Sequence, residues 1–229
     1  MTGTLALVGS GEYLPPMDPV DKYLLSRLNG PARVVCLPTA AGTEGEERLG
    51  YWTRLGVEHF TRLGAEAATV RVIDRASAQA ASNAEKIRAA NFVYLSGGDP
   101  GYLHKTLTGT PTWEAILHVF ENGGVVAGCS AGAMIFGEKI PSFPTIVPLR
   151  SVFNLLPGAV IVPHYDEFGA QWGPLIKAML GHLTLLGVEG NTALVKLNGT
   201  HTAVGAGGVT VWSKKQKTRF TDGQTVNWP

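Results

Sequence analysis

Ser130 stands at the centre of Gly128-Cys129-Ser130-Ala131-Gly132, directly after the apolar run Val125-Val126-Ala127. A serine at a sharp strand-to-helix turn sits in a strained backbone conformation, and the close approach of strand and helix tolerates little beyond Gly and Ala nearby. Such a turn lifts the hydroxyl out of a sheet and places it at a helix start, with free N–H groups and a positive dipole end. The following Ala133-Met134-Ile135-Phe136 is compatible with that helix. The chemistry that suits this arrangement is nucleophilic attack on a carbonyl; the alternative is a glycine-rich turn packed under a sheet. Cys129 does not hold the central place, because Ala127 and Ala131 stand where a Gly-x-Cys-x-Gly pattern needs glycine.

A serine hydroxyl is a poor nucleophile until a base takes its proton. Among the histidines, His59, His104, His118 and His182 fall in helical segments, and His201 falls in a turn near the C-terminal strands. His164 closes Val160-Ile161-Val162-Pro163, which puts it at a strand end on the same edge as Ser130 and makes it the candidate general base. An oxyanion hole needs backbone N–H groups beside the serine. Ala131 supplies one, and the Gly97-Gly98-Asp99 turn is the candidate source of the second, with Gly98 favoured because glycine lets a backbone approach a substrate carbonyl closely. A plain strand-ending turn is the other account of those glycines.

The elements that must position these groups alternate in type. Leu5–Gly9, Arg33–Pro38, Thr69–Ile73, Asn91–Leu95, Gly124–Ala127 and Ala159–His164 are strand candidates. Tyr23–Leu28, Glu44–Leu63, Ser77–Ala90, Tyr102–Leu107, Trp113–Glu121 and Leu175–Leu186 have helical spacing or composition. Strand-helix alternation with continuous apolar strands predicts a mostly parallel sheet flanked by helices on both faces. Functional groups then collect at the C-terminal strand ends, where Gly9-Ser10-Gly11, Gly97-Gly98 and Gly128-Cys129-Ser130 all fall. Beyond residue 190, Thr192–Lys196, Ala203-Val204, Val209–Trp212 and Lys217–Phe220 predict antiparallel hairpins closing one edge. No repeat or linker divides the chain, so residues 1–229 are expected to form a single α/β domain.

The 229 residues are 45% hydrophobic and 16% charged, with a formal net charge of +1. That balance argues for a packed globular chain and gives no field to attract nucleic acid or an anionic membrane. The basic stretch Lys214-Lys215-Gln216-Lys217-Thr218-Arg219 reads as a solvated hairpin rim. Two cysteines, Cys36 and Cys129, lie in apolar runs without zinc or disulfide spacing. With no leader pattern or membrane-length apolar run, the expectation is a cytoplasmic protein with no metal and no cofactor. An exposed Trp172, Trp212 or Trp228 would mark an interface between copies, leaving a homo-oligomer open; tryptophans in a chain of this size more often pack in the core.

Ser96-Gly97-Gly98-Asp99, Ala127–Ala133 and Leu155–His164 occur in this order, followed by Gly187-Val188-Glu189-Gly190-Asn191-Thr192-Ala193. Together they resemble the peptidase E and cyanophycinase family of serine peptidases. The resemblance spans most of the chain. It implies a class I glutamine amidotransferase-like, flavodoxin-like α/β fold, with Ser130 as nucleophile, His164 as base and Gly98 as oxyanion donor.

Two departures bear on activity. Family members commonly carry the triad acid midway between serine and histidine, yet no Asp or Glu lies between Glu138 and Asp166. Asp166 is the first candidate, because His164-Tyr165-Asp166 has the His-x-acid spacing of related glutamine amidotransferases; Glu138 and Glu189 come next. The second departure is that the segment after the histidine, Glu167–Leu175, has no arginine, which argues against cyanophycin as substrate. Peptidase E prefers dipeptides with an N-terminal aspartate, whose side chain needs a cationic or multi-donor partner. Arg150 is the candidate, with Asp99 grouped beside it as substrate-binding. The expected activity is serine peptidase hydrolysis of small peptides. The alternatives are an esterase using the same site and a catalytically silent small-molecule binder.

Overall fold

The computed structural model describes residues 3–141, 148–214 and 216–228. Lys215 of the basic stretch lies outside them. Five apolar strands, β1 (Thr4–Val8), β2 (Arg33–Leu37), β3 (Glu66–Thr69), β4 (Phe92–Leu95) and β5 (Val125–Cys129), pair in parallel in the order β1-β5-β4-β2-β3. Helices α1 (Asp18–Leu25), α2 (Glu46–Arg62), α3 (Arg75–Gln79), α4 (Ala81–Arg88), α5 (Pro100–Leu107) and α6 (Pro111–Glu121) connect them. Parallel pairing forces such crossovers, and the buried apolar strands show why both faces must be covered. The short α7 (Ala131–Met134) follows β5 directly.

Two expected elements differ. The alanine-rich Ser77–Ala90 is two helices, broken where Ala80 turns extended (φ −68°, ψ 117°). The third strand is Glu66–Thr69, ahead of Thr69–Ile73, because pairing with β2 in the register Arg33↔Glu66 uses those residues.

After α7 the chain forms the ribbon β6 (Lys139–Ile140) and β7 (Arg150–Ser151), then β8 (Ala159–Val162), α8 (Tyr165–Met179) and β9 (Thr184–Val188). The expected helix over Leu175–Leu186 is thus a helix that begins ten residues earlier and a strand. The hairpin β10 (Thr192–Leu197) and β11 (Thr200–Gly205) adds antiparallel to β1, completing a seven-stranded sheet. β12 (Gly208–Trp212) and β13 (Lys217–Thr221) join β9 and β8 in a separate four-stranded sheet. One apolar cluster runs across both sheets, from Leu5, Val93 and Val126 to Leu186, Val209 and Val211. The arrangement is a mixed α/β fold with a mostly parallel central sheet and antiparallel additions. Trp172 is exposed at 42% on α8, in line with Phe168, Leu175 and Met179. Trp212 and Trp228 pack partly buried. Among the described residues no helix is long and apolar enough to cross a membrane.

Candidate active site

Register decides which loops meet. Val8 of β1 and Leu95 of β4 flank Cys129 and Gly128 of β5, so the three strands end together. Three loops therefore converge at one edge: Gly9–Tyr13, Ser96–Asp99 and the β5–α7 turn. Ser130 forms that turn with φ 51° and ψ −112°, a conformation that side-chain-bearing residues avoid. Its own N–H is held by the Val8 carbonyl at 3.0 Å. A side chain on Gly128 would strike the Gly132 backbone, so both glycines are required by the close approach of strand and helix. These are the properties expected of a nucleophile elbow.

The Ser96–Asp99 turn can be accounted for one N–H at a time. Ser96 N–H donates to the Leu37 carbonyl at 3.2 Å, Gly97 N–H to Glu12 Oε1 at 3.0 Å, and Asp99 N–H to the Ala40 carbonyl at 2.9 Å. Among the described residues no acceptor meets the N–H of Gly98, which is exposed, and none meets that of Ala131. Gly98 has φ 140°, and a side chain there would collide with the Ala40 carbonyl. Gly97 abuts the serine: a Cβ built on it would lie 3.3 Å from Ser130 Cβ and 3.8 Å from its Oγ.

His164 arrives from the other sheet. It follows β8 after Pro163, takes a left-handed conformation (φ 50°, ψ 37°) and is the N-cap of α8. Its Nε2 lies 3.2 Å from Ser130 Oγ and its Nδ1 3.5 Å from Glu167 Oε1. The histidine side chain is 31% exposed and the glutamate 56%. Asp166 turns elsewhere: its Oδ1 accepts the Gly190 N–H at 2.9 Å, tying α8 to the loop before β10. The reason is helical geometry, since in a helix that starts at Tyr165 the i+3 residue, not i+2, returns to the face of His164. Glu138 accepts the Gly158 N–H at 2.8 Å, and Glu189 forms a fork with Arg219 at 2.6 Å.

Four of the remaining histidines are engaged apart from the serine, and His182 is exposed. His59 is buried against Asp21 at 2.8 Å, His104 packs edge-on to Phe153, His118 neighbours Asn122 and His201 packs tilted against Trp228. Asp99 caps α5 by accepting the Tyr102 N–H at 2.8 Å. Arg150, exposed on β7, reaches the same helix start, its Nη1 4.0 Å from where a Gly101 Cβ would sit.

Two acids gave no usable signal before the fold was known. Glu12 is buried (8% exposed) and receives Gly97 N–H on one oxygen and the Cys129 thiol on the other, at 2.9 Å. Burial first, and then the Glu12 carboxylate, pushes the Cys129 thiol well up, so it stays a protonated donor. Glu167 was hidden because the helix was expected to begin later. Among the described residues no group of three or more His, Cys, Asp or Glu side chains gathers as a metal ligand set.

A model of peptidase family S51 matches residues 5–204 of the chain. A peptidase from an acI-B1 Actinobacterium is 34% identical, superposes with a TM-score of 0.89, and is matched over 100% of this chain and 98% of its own. A candidate peptidase E from Listeria monocytogenes shares the fold at 17% identity, with a TM-score of 0.61 over 96% of this chain and 99% of its own. A cyanophycinase from Synechococcus elongatus is 27% identical over 69% of this chain. The chain spans about half the length of that relative (53%).

Proposed function

The chain belongs to peptidase family S51, and from that premise we propose that it is a serine peptidase acting on small peptides, including dipeptides with an N-terminal aspartate. The observation that carries this reading is the 3.2 Å contact between His164 Nε2 and the Oγ of a serine held at a strained strand end. Ser130 Oγ attacks the peptide carbonyl while His164 Nε2 takes its proton. The N–H groups of Gly98 and Ala131 receive the oxyanion. As the tetrahedral species collapses, the C–N bond breaks and His164 returns the proton to the leaving amine. Water, activated by the same imidazole, then attacks the acyl-enzyme and releases Ser130.

Glu167 is the acid of this site. Its carboxylate favours the tautomer with hydrogen on Nδ1 and stabilises the imidazolium that forms. Arg150, beside the start of α5, offers the cation for an aspartyl side chain. One observation favours a second reading. The Glu167 contact is long and half in solvent, so the base is weakly supported. Activated esters, which need less help than amides, are then turned over faster than dipeptides.

Labelling with a fluorophosphonate, followed by intact mass, tests the proposal on wild type, Ser130→Ala and His164→Ala. One adduct is expected on wild type and none on Ser130→Ala, with labelling of His164→Ala slowed by at least about 10³. Aspartyl dipeptide hydrolysis should follow the same order. An adduct or turnover surviving Ser130→Ala rejects the nucleophile, and a folded wild type that never labels supports a silent binding protein instead.

A further inference from the structure

The loop after β1 is bent in an unusual way. Gly11 (φ 87°) and Tyr13 (φ 65°) both adopt positive φ around Glu12. A tyrosine avoids that conformation, so the surroundings must hold it. They do: the Tyr13 ring is buried at 2% exposure and packs on Trp52, Phe60 and Tyr94, with centroids at 6.3, 6.0 and 4.9 Å. The consequence is that Glu12, a residue normally left in water, is turned under the site.

There its two oxygens touch the two segments that carry the chemistry. Oε1 accepts the N–H of Gly97, the residue before the candidate oxyanion donor Gly98. Oε2 accepts the thiol of Cys129, the residue before Ser130. The same Oε1 is 3.0 Å from where a Gly97 Cβ would be, so the turn is seated directly on the carboxylate.

We infer that Glu12 is a positioning residue that clamps the β4 turn to the serine elbow and so fixes the distance between the Gly98 N–H and Ser130 Oγ. The inference rests on Ser130 being the nucleophile. Glu12 touches neither reacting atom and acts through Gly97 and Cys129. Its backbone neighbours are held by other contacts, so its loss should loosen the transition state more than the encounter complex. An oxyanion donor displaced by even about 1 Å loses much of its effect.

The test is the fluorophosphonate labelling of folded Glu12→Met and Glu12→Gln proteins, resolved into the limiting rate and the half-saturating concentration. Methionine fills the space without an acceptor, while glutamine keeps an oxygen for Gly97. Glu12→Met should lower the limiting rate about 10- to 100-fold, with half-saturation within about threefold of wild type. Glu12→Gln should recover the rate to within about threefold. A wild-type rate in Glu12→Met, or a loss confined to half-saturation, overturns the inference. If Glu12→Met does not fold, Glu12→Gln still decides: a loss greater than about 30-fold would mean that the site uses the charge, not the acceptor. Ser130→Ala in the same assay separates the claims. An adduct that survives it overturns both, whereas an adduct lost with Ser130→Ala but formed at full rate in Glu12→Met overturns only the positioning role.

Discussion

The end of the seven-stranded sheet and the start of α8 contribute the two halves of the site, and they hold their residues differently. At the sheet end, Ser130 N–H, Gly97 N–H and Asp99 N–H each have an acceptor within 3.0 Å, and the supports beneath them are buried. At α8, His164 is 31% exposed, and the acid beside it is half in water at 3.5 Å. A buried hydrogen bond to a charged group contributes more than an exposed ion pair, whose net worth is small. In the proposed reaction the half that would bind the electrophile is therefore built rigidly and the half that would handle the proton loosely. A site of this kind gets most of its rate from preorganised N–H groups, and less from the acid behind the histidine.

Breaking the rigid half should have the larger effect. Gly98→Ala places a Cβ against the Ala40 carbonyl in a conformation, φ 140°, that alanine scarcely adopts. The turn must shift, and its free N–H moves with it. The folded fraction of Gly98→Ala should label with fluorophosphonate about 10²- to 10³-fold more slowly than wild type, with unchanged far-UV circular dichroism. A labelling rate within tenfold of wild type would remove the Gly98 N–H from the oxyanion hole.

The loose half should respond less. Glu167→Gln is expected to lower kcat only about 3- to 10-fold, where a buried triad aspartate is worth about 10⁴. Asp166→Ala serves as the counterpart one residue away. It removes the acceptor of the Gly190 N–H and should cost about 1 kcal/mol, or about 2–4 °C in Tm, with kcat within about twofold. The reverse pattern, kcat lost with Asp166 and kept without Glu167, would return the orienting role to Asp166.

The two halves also differ in how far their sequences disclose them. The Ser130 elbow was legible because its demands are local: small residues within two positions, after an apolar strand and before a helix. The Ser96–Asp99 turn was legible for the same reason. Glu12 was not, since its partners Gly97 and Cys129 lie 85 and 117 residues away. They meet only because β5 is inserted between β1 and β4, an order that periodicity does not contain. Around His164 the difficulty was the reverse. Gly169, Gly173 and Pro174 disfavour a helix locally, so α8 was expected to start at Leu175. The structure gives the glycines a packing reason: side chains on Gly169, Gly173 or Gly187 would run into the Tyr165 ring. Tertiary contact outweighs propensity there, and the early helix start is what exchanges Asp166 for Glu167 beside the imidazole.

The smallest effect concerns a half-buried histidine on the large sheet. His201 on β11 packs tilted against Trp228 with centroids 4.0 Å apart, and among the described residues its buried Nε2 has no hydrogen-bond partner. Burial first, and then Lys196, pulls its pKa from 6.5 down to about 4. The unfolded chain therefore binds a proton at higher pH than the native one. Stability is complete above pH 6.5, falls as the pH drops toward 4, and levels off below it. At about 1.4 kcal/mol per unit, and discounted because the ring is only half-buried, the loss is about 1–2 kcal/mol. That corresponds to a Tm lower by about 2–8 °C at pH 4 than the other titrating groups alone would give. His201→Gln, which cannot take the proton, should flatten the slope of Tm between pH 6.5 and 4 while leaving labelling of Ser130 unchanged at pH 7. An identical slope in the variant would mean that the native His201 imidazole protonates as readily as it does in the unfolded chain.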